Sequence, residues 1–546
     1  MVKRSTILND MGIQDRKVIT FEERERWIAD HEAKIVASAE SPLTEPFWRK
    51  ETSKPMQFLA FCLAYRQWKQ DPRALIHLPI QIDGSCNGLQ HIAALTGDRG
   101  LAQAVNVQPN DSGFPGDIYS ELASAAAANL GQIRKSQTRK DAHHQQGLEW
   151  ADSWLSASLN KDKWLNRGTA KKVVMTIPYG AGEGSQARYV LEEIAKDIKK
   201  ALDENPTLDG LDELVDQWVK EKPERQKFVR ECAKKQEFMA EETVNHSHGN
   251  GRRRKHLFPL ANQQTAEQRD HDRLCVLAAY VSLAIVVHLG GALQEKYPRV
   301  KEFTRWLRRT ADGCKGLPLL WSSPLGFPVC QNKFRISNTT ITTYLGGKPL
   351  KIRVGRMDDG DVTDSKQQSS LLPNLIHSLD ATHLAKTLLQ ANACGITDIG
   401  SIHDCLLCHP NDATTLSKIV RSTFAELYQP DQEGMPEVLM QWYQWMKLVS
   451  RISQLDSPNN VSGAWKVPNG EGEQGLGETD RGVLEDLRCL SSQSRQHAIF
   501  AQHLLRFLID HPPKRKDGKV ANIMPPPVAS GLSLGDGDGV SSYFFS

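Results

Sequence analysis

Leu78-Pro-Ile-Gln-Ile-Asp-Gly-Ser-Cys-Asn-Gly-Leu-Gln-His91 changes its periodicity in mid-course. Leu78, Ile80 and Ile82 alternate against Pro79 and Gln81, the two-residue period of a strand. The alternation stops at Asp83-Gly84-Ser85, and from Asn87 to Leu95 the spacing is helical. A carboxylate at the end of a buried strand can hold a cation while its backbone stays fixed. The same Asp-Gly pair can also be only a turn.

A second acid sits in a similar setting. Ile402-His403-Asp404 is followed by Cys405-Leu-Leu-Cys408, so apolar residues flank a polar pair, and strand–turn–strand is predicted with Asp404 at the tip. Two such aspartates, if brought together, could bridge two Mg²⁺ ions about 3.5–4 Å apart, the geometry for in-line attack on a phosphate. Their separation in sequence leaves open whether they meet.

A helix is predicted from Asn166 to about Ile177, closed by Pro178-Tyr-Gly-Ala-Gly182. Steps of four place Arg167, Lys171, Met175 and Tyr179 along one face. Two cations a turn apart ahead of an aromatic make a grip for a triphosphate with a surface for a base. An ordinary basic surface helix has the same pattern. Cys405-x-x-Cys408-His409 has the spacing of a haem attachment site, but its cysteines fall in a predicted buried strand. Asp358-Asp-Gly-Asp361 lacks the ligand alternation and closing Glu of a calcium-binding loop.

The 546 residues predict several domains or one large enzyme with subdomains. With 39% hydrophobic and 24% charged residues the composition is that of a soluble chain with a sizeable core. Lys and Arg total 68 against 65 Asp and Glu, so any polyanion must be met by local basic clusters. Ten irregularly spaced cysteines suit reduced thiols rather than a disulfide framework. The most apolar stretch, Leu274 to Leu293, is interrupted by Tyr280, Ser282, His288 and Gly290, too often for a membrane span. The N-terminus has no apolar segment of a leader and no presequence is read, so a cytoplasmic location is expected.

Helical spacing recurs over Phe21–Ser38 and Pro55–Trp68, and β-branched residues around Gly346-Gly347 predict a long hairpin. Residues 204–256 read as a charged insertion with a basic tip, and Asp456 to Asp480 as a loop ahead of helices.

Taken together, these segments resemble the single-subunit DNA-directed RNA polymerases of bacteriophages and mitochondria. Asp83 to His91 resembles the family's motif A, Arg167-Gly-Thr-Ala-Lys-Lys-Val-Val-Met-Thr-Ile-Pro-Tyr-Gly180 its motif B, and His403-Asp404 its motif C. Pro373-Asn-Leu-Ile-His-Ser-Leu-Asp-Ala-Thr-His383 resembles a further block, with weaker similarity at Asp117-Ile-Tyr119, Gly326-Phe-Pro-Val329 and the aromatic C-terminus.

The resemblance implies an α/β (α+β) right-hand polymerase fold, with mostly helical fingers on a small antiparallel palm sheet. Palm would comprise 1–111 and 379–455, and fingers 112–378 with a promoter-reading hairpin at about 331–356. An insertion at 456–516 and a C-terminal foot at 517–546 would follow. The family's N-terminal domain and most of its thumb have no counterpart in the sequence. Asp83 and Asp404 would hold two Mg²⁺ ions; Lys171 would donate a proton to pyrophosphate and Arg167 grip phosphates. Tyr179 would select ribose, His377 lie near the nucleotide, and Tyr119 lie beside the primer terminus. Arg335, Asn338, Lys348 and Arg353 would contact DNA. The implied partners are a DNA template, RNA product, ribonucleoside triphosphates and a separate chain supplying the missing N-terminal part.

Two other readings stay open: a related single-subunit DNA polymerase, and a non-catalytic polymerase remnant that binds nucleic acid. Against the first, Cys405 stands after Asp404 where a Glu would be expected. The retained Asp83, Lys171, Tyr179 and Asp404 argue against long decay.

Overall fold

The computed structural model describes residues 19–131 except 51 and 53, 165–191, 266–452 except 315, 316, 347, 432 and 433, and 475–493, with a few short stretches outside these ranges. The chain forms two compact units, Met1–Gly116 together with Arg299–Ser546, and Asp117–Pro298. The described residues are mostly helical, with small antiparallel sheets.

The first unit opens with α1 (Phe21–Asp30), α2 (Glu32–Glu40), α3 (Phe47–Lys50) and α4 (Pro55–Gln70). A capping box starts α1: Glu23 N donates to Thr20 Oγ1 at 3.3 Å, and Thr20 N donates to the Glu23 carboxylate at 2.9 Å. The single helix expected over 21–38 is broken at His31. There the backbone leaves helical geometry, φ −108° and ψ 11°, while the ring lies 2.9 Å from the Trp27 carbonyl through Nδ1 and stacks on the Trp27 indole. Trp27, Ile35, Phe47 and Phe58 close a small core between these helices.

Strand β1 (Ile80–Ile82) leads into α5 (Asn87–Thr96), every residue of which is buried. Gly97 ends α5 in the left-handed conformation, φ 60°, that glycine adopts without steric cost. Asp98 then caps α6 (Arg99–Ala104) by accepting from Leu101 N.

In the second unit α7 (Ile118–Ala128) packs on α8 (Arg167–Val174) and on α9 (Ala266–Lys296), burying Leu122, Ala126, Val173 and Val174. His288 of α9 and Asp152 form a buried pair. No helix among the described residues is long and apolar enough to cross a membrane. The charged segment 204–256 lies outside the described residues.

Helix α10 (Pro298–Gly313) leads to the hairpin of β2 (Leu319–Ser322) and β3 (Pro328–Gln331), and then to the long antiparallel ribbon of β4 (Phe334–Leu345) and β5 (Lys348–Val362). Helix α11 (Asp364–Ala393) follows, then β6 (Gly400–Ile402), β7 (Cys405–Cys408), α12 (Ala413–Leu427), α13 (Glu437–Ile452) and α14 (Glu478–Gln493). The loop expected to reach residue 480 thus ends where α14 begins; most of 456–516 lies outside the described residues.

Strands β1, β7 and β6 form one antiparallel sheet with β7 in the centre. Ile82 pairs with Leu406, and Ile402 pairs with Cys405 across a two-residue turn. Helix α11 packs against α5 and α12. A second core lies under β2, where the Trp442 ring of α13 meets Trp306 at 5.5 Å and Trp321 at 6.3 Å. The base of the ribbon is tied down by buried amides. Gln331 Nε2 donates to the Gln367 carbonyl at 2.8 Å, and Gln367 Nε2 returns bonds to the carbonyls of Leu317 and Gln331.

Candidate active site

The sheet register decides where the two aspartates go. Ile82 is the last residue of β1 and lies opposite Leu406, so Asp83 leaves the sheet beside the start of β7. Asp404 occupies the turn just before that start. The turn is possible because His403 takes a left-handed backbone, φ 56°, the conformation a two-residue hairpin loop asks of its first residue. Residues 321 positions apart therefore stand at adjacent strand ends (404 minus 83).

Gly84 makes this approach close. A Cβ there would meet Asp404 Oδ2 at 3.1 Å and Gln90 Oε1 at 3.4 Å. Burial pushes the Asp404 carboxyl above its usual range, and the charges of Asp83 and Asp380 add to that against a bond from its own backbone. Asp380, on α11, is also raised by burial, which outweighs a bond from Asn87 and the nearby His377 and His403. Asn87 Nδ2 donates to Asp380 Oδ1 at 2.6 Å. Asn87 Oδ1 and Gln90 Oε1 are buried with no hydrogen-bond partner.

This is an oxygen-rich donor set with uncompensated negative charge, which suits a hard divalent cation. Among the described residues no group of three or more His, Cys, Asp or Glu could hold a metal by itself. Mg²⁺ is commonly held by one or two carboxylates and completes its shell with water and phosphate oxygens. Asp83 and Asp404 fit such a site.

The second unit gathers the cations. Asn166 starts α8 with a capping box, its Oδ1 accepting from Gly168 N at 2.7 Å and Thr169 N at 3.2 Å. Arg167 Nε donates to Asp117 Oδ2 at 2.8 Å, and its guanidinium lies 5.4 Å from the centre of the Tyr119 ring. Lys171 Nζ lies 5.9 Å from the same ring. Burial acts to raise the Asp117 carboxyl, but bonds from Ser120 and Arg167 outweigh it and hold it below the usual range. Tyr119, expected beside a primer terminus, is buried beneath two cations.

Helix α8 is shorter than the predicted segment. It ends at Val174, and Thr176 and Ile177 make tighter bonds back to Val173 and Val174. Pro178 has no N–H to continue the ladder and would clash with the carbonyl of Val174. Tyr179 therefore lies in the turn after the helix, not on its face, and Gly180 closes that turn at φ 68°.

The chain matches the sequence profile of the DNA-dependent RNA polymerases over residues 6–503. It belongs to that family. It is 28% identical over 451 residues to the DNA-directed RNA polymerase of Enterobacteria phage K11, covering 80% of this chain and 43% of the phage protein. It is 27% identical over 450 residues to T7 RNA polymerase of Escherichia phage T7, covering 80% and 44%. The mitochondrial DNA-directed RNA polymerase of Mus musculus is 27% identical over 413 residues, covering 74% and 26%. The chain thus spans less than half the length of these RNA polymerases.

Asp380 and Asp117 have contacts at the site that no local pattern in the sequence predicts. Asp380 was only part of a quoted block, and nothing local distinguishes it from another helical carboxylate. Asp117 carried a signal, an Asp three residues ahead of Ser120 at a helix start, but its bond to Arg167 crosses 50 residues.

The ribbon sorts its residues by register. Asn338, Thr340, Thr342, Lys351 and Arg353 share one face; Ile341, Leu350, Ile352 and Val354 share the other and are exposed. Arg335 falls at the bulge next to Phe334, and Lys348 begins β5 beside the turn.

Proposed function

We propose that the chain is a nucleotidyltransferase that performs DNA-templated RNA synthesis from ribonucleoside triphosphates. The meeting of Asp83 and Asp404 at neighbouring strand ends carries this reading. Two Mg²⁺ ions held there would activate the RNA 3′-hydroxyl and stabilise the leaving pyrophosphate. Arg167 binds phosphates of the nucleotide, and its bond to Asp117 orients the guanidinium before substrate arrives. Lys171, exposed one turn along, binds the same phosphates and gives a proton to pyrophosphate. Tyr179 discriminates the sugar, His377 contacts the nucleotide, and Tyr119 lies beside the primer terminus, with Arg167 and Lys171 near its ring.

In this reading the chain has a right-hand fold. The sheet of β1, β7 and β6 belongs to the palm, at 1–111 and 379–455, and 112–378 forms the fingers. Residues 456–516 are an insertion and 517–546 a foot. The ribbon contacts DNA through Asn338 and Arg353, which share its polar face.

The test is ribonucleotide addition to a preformed RNA primer on a DNA template with Mg²⁺. Asp404→Ala is expected to lower extension on the order of 10²–10³-fold or more. Equal use of deoxyribonucleotides would indicate a DNA polymerase instead. No extension by the folded chain, with Mg²⁺ or Mn²⁺, would indicate a remnant that only binds nucleic acid.

A further inference from the structure

A hydrogen bond ties the segment that carries Asp83 to α11. Asn87 is the first residue of α5, four positions after Asp83, and is 5% exposed. Its amide donates to Asp380 at 2.6 Å. Asp380 stands on α11 one turn beyond His377, within electrostatic reach of Asp404 and His403. The same bond thus ties the first aspartate's helix to the helix that faces the second aspartate. Clearance is small, because Gly84 already sits against Asp404. Any drift of α5 would change the spacing of the two carboxylates.

We propose that Asp380 is a positioning residue: through Asn87 it fixes the turn bearing Asp83 at the distance from Asp404 that a divalent cation requires. The inference rests on the proposed role of Asp83 and Asp404. Mg²⁺ demands near-octahedral coordination and tolerates misplaced carboxylates poorly, so a small displacement weakens its binding. Outer partners of metal ligands typically change metal affinity by about 10–100-fold when removed.

The test uses the full chain with template and primer, and follows Mn²⁺ binding by the electron paramagnetic resonance signal of the free ion. Mg²⁺ half-saturation and kcat in primer extension are measured in parallel, with thermal unfolding as a control. Asn87→Ala and Asp380→Ala are each expected to weaken Mn²⁺ binding about 10-fold and to raise the Mg²⁺ requirement more than they lower kcat at saturating metal. The double variant should be no worse than either single one, since both break the same bond. Exchanging the partners, Asn87→Asp with Asp380→Asn, should restore binding to within about 3-fold, because a charge-assisted bond of reversed polarity can form.

Loss of binding in Asp380→Ala but not in Asn87→Ala would overturn the proposal and make Asp380 a direct ligand. Unchanged binding in both, or additive losses, would also overturn it. Should an alanine variant not fold, Asn87→Ser and Asp380→Asn carry the same comparison. A wild-type chain that neither binds Mn²⁺ nor extends the primer would overturn the functional reading, and this inference with it. Normal wild-type behaviour with unchanged variants would overturn this inference alone.

Discussion

Asp404 holds a charge where the protein alone does not favour one. Its carboxyl is raised first by burial and then by the neighbouring charges of Asp83 and Asp380. For a raised carboxyl, the associated stability is fully present below the ordinary value of 3.8 and is lost as pH rises through the higher folded-state value. At neutral pH the metal-free chain therefore carries the cost of a buried charge beside other acids at its candidate site, which Asp404→Asn removes. The expected outcome is a variant that melts higher than wild type at pH 7 without metal, an advantage that disappears in acid. Mg²⁺ should raise the melting temperature of wild type and not of the variant, since only wild type holds the ion. A variant that melts lower than wild type at pH 7 would show that Asp404 stabilises the turn by other means. The local setting of each aspartate was legible, Asp83 from an alternation that stops at Asp-Gly and Asp404 from apolar residues flanking a polar pair. Their meeting was not, because antiparallel pairing of β1 with β7 leaves no mark in either segment.

At the scale of elements, legibility followed the strength of local signals. The start of α8 was readable from Asn166 and its end from Pro178, yet the helix stops three residues before the predicted Ile177. The tightened bonds before the proline account for the difference, and they move Tyr179 off the helix face. The break at His31 was unreadable, since no helix-breaking residue marks it and the helical spacing of apolar positions runs on through it. The ribbon was predicted from Gly346-Gly347, but its anchorage was not. Gln331, Gln367 and Asn374 form a buried amide network whose members come from β3 and α11. Gln367→Leu would leave the Leu317 and Gln331 carbonyls without these donors, a local cost of about 1–3 kcal/mol. With its base loosened, the ribbon should lose hold of duplex DNA. Binding of a promoter-length duplex is expected to fall several-fold while extension of a prehybridised primer stays near wild type. Equal loss in both assays would mean that the network supports the carboxylate site and not the ribbon.

Within the first unit, described residues near the C-terminus reach the candidate site. The Phe544 carbonyl accepts bonds from Ser85 N, Ser85 Oγ and Gln90 Nε2, all next to Asp83, and Ser541 N donates to the Val107 carbonyl. The Phe544 ring is fully buried, 4.5 Å from that of Phe424 and 6.3 Å from His383. The turn after β1 is therefore held from two distant parts of the sequence, by Asp380 of α11 through Asn87 and by Phe544 near the C-terminus through Ser85 and Gln90. Phe544→Ala removes the ring that seats this segment, and large-to-small changes of a buried Phe cost about 3–5 kcal/mol. Two effects should follow together: an earlier loss of structure in the first unit, read by hydrogen exchange of the α5 amides, and a lower kcat for primer extension. Phe544→Leu keeps most of the apolar volume and the main-chain carbonyl, so it should recover most of both. Faster α5 exchange with unchanged kcat would show that the segment stabilises the unit without shaping the site. Unchanged exchange would show that the three bonds to the carbonyl suffice without the ring.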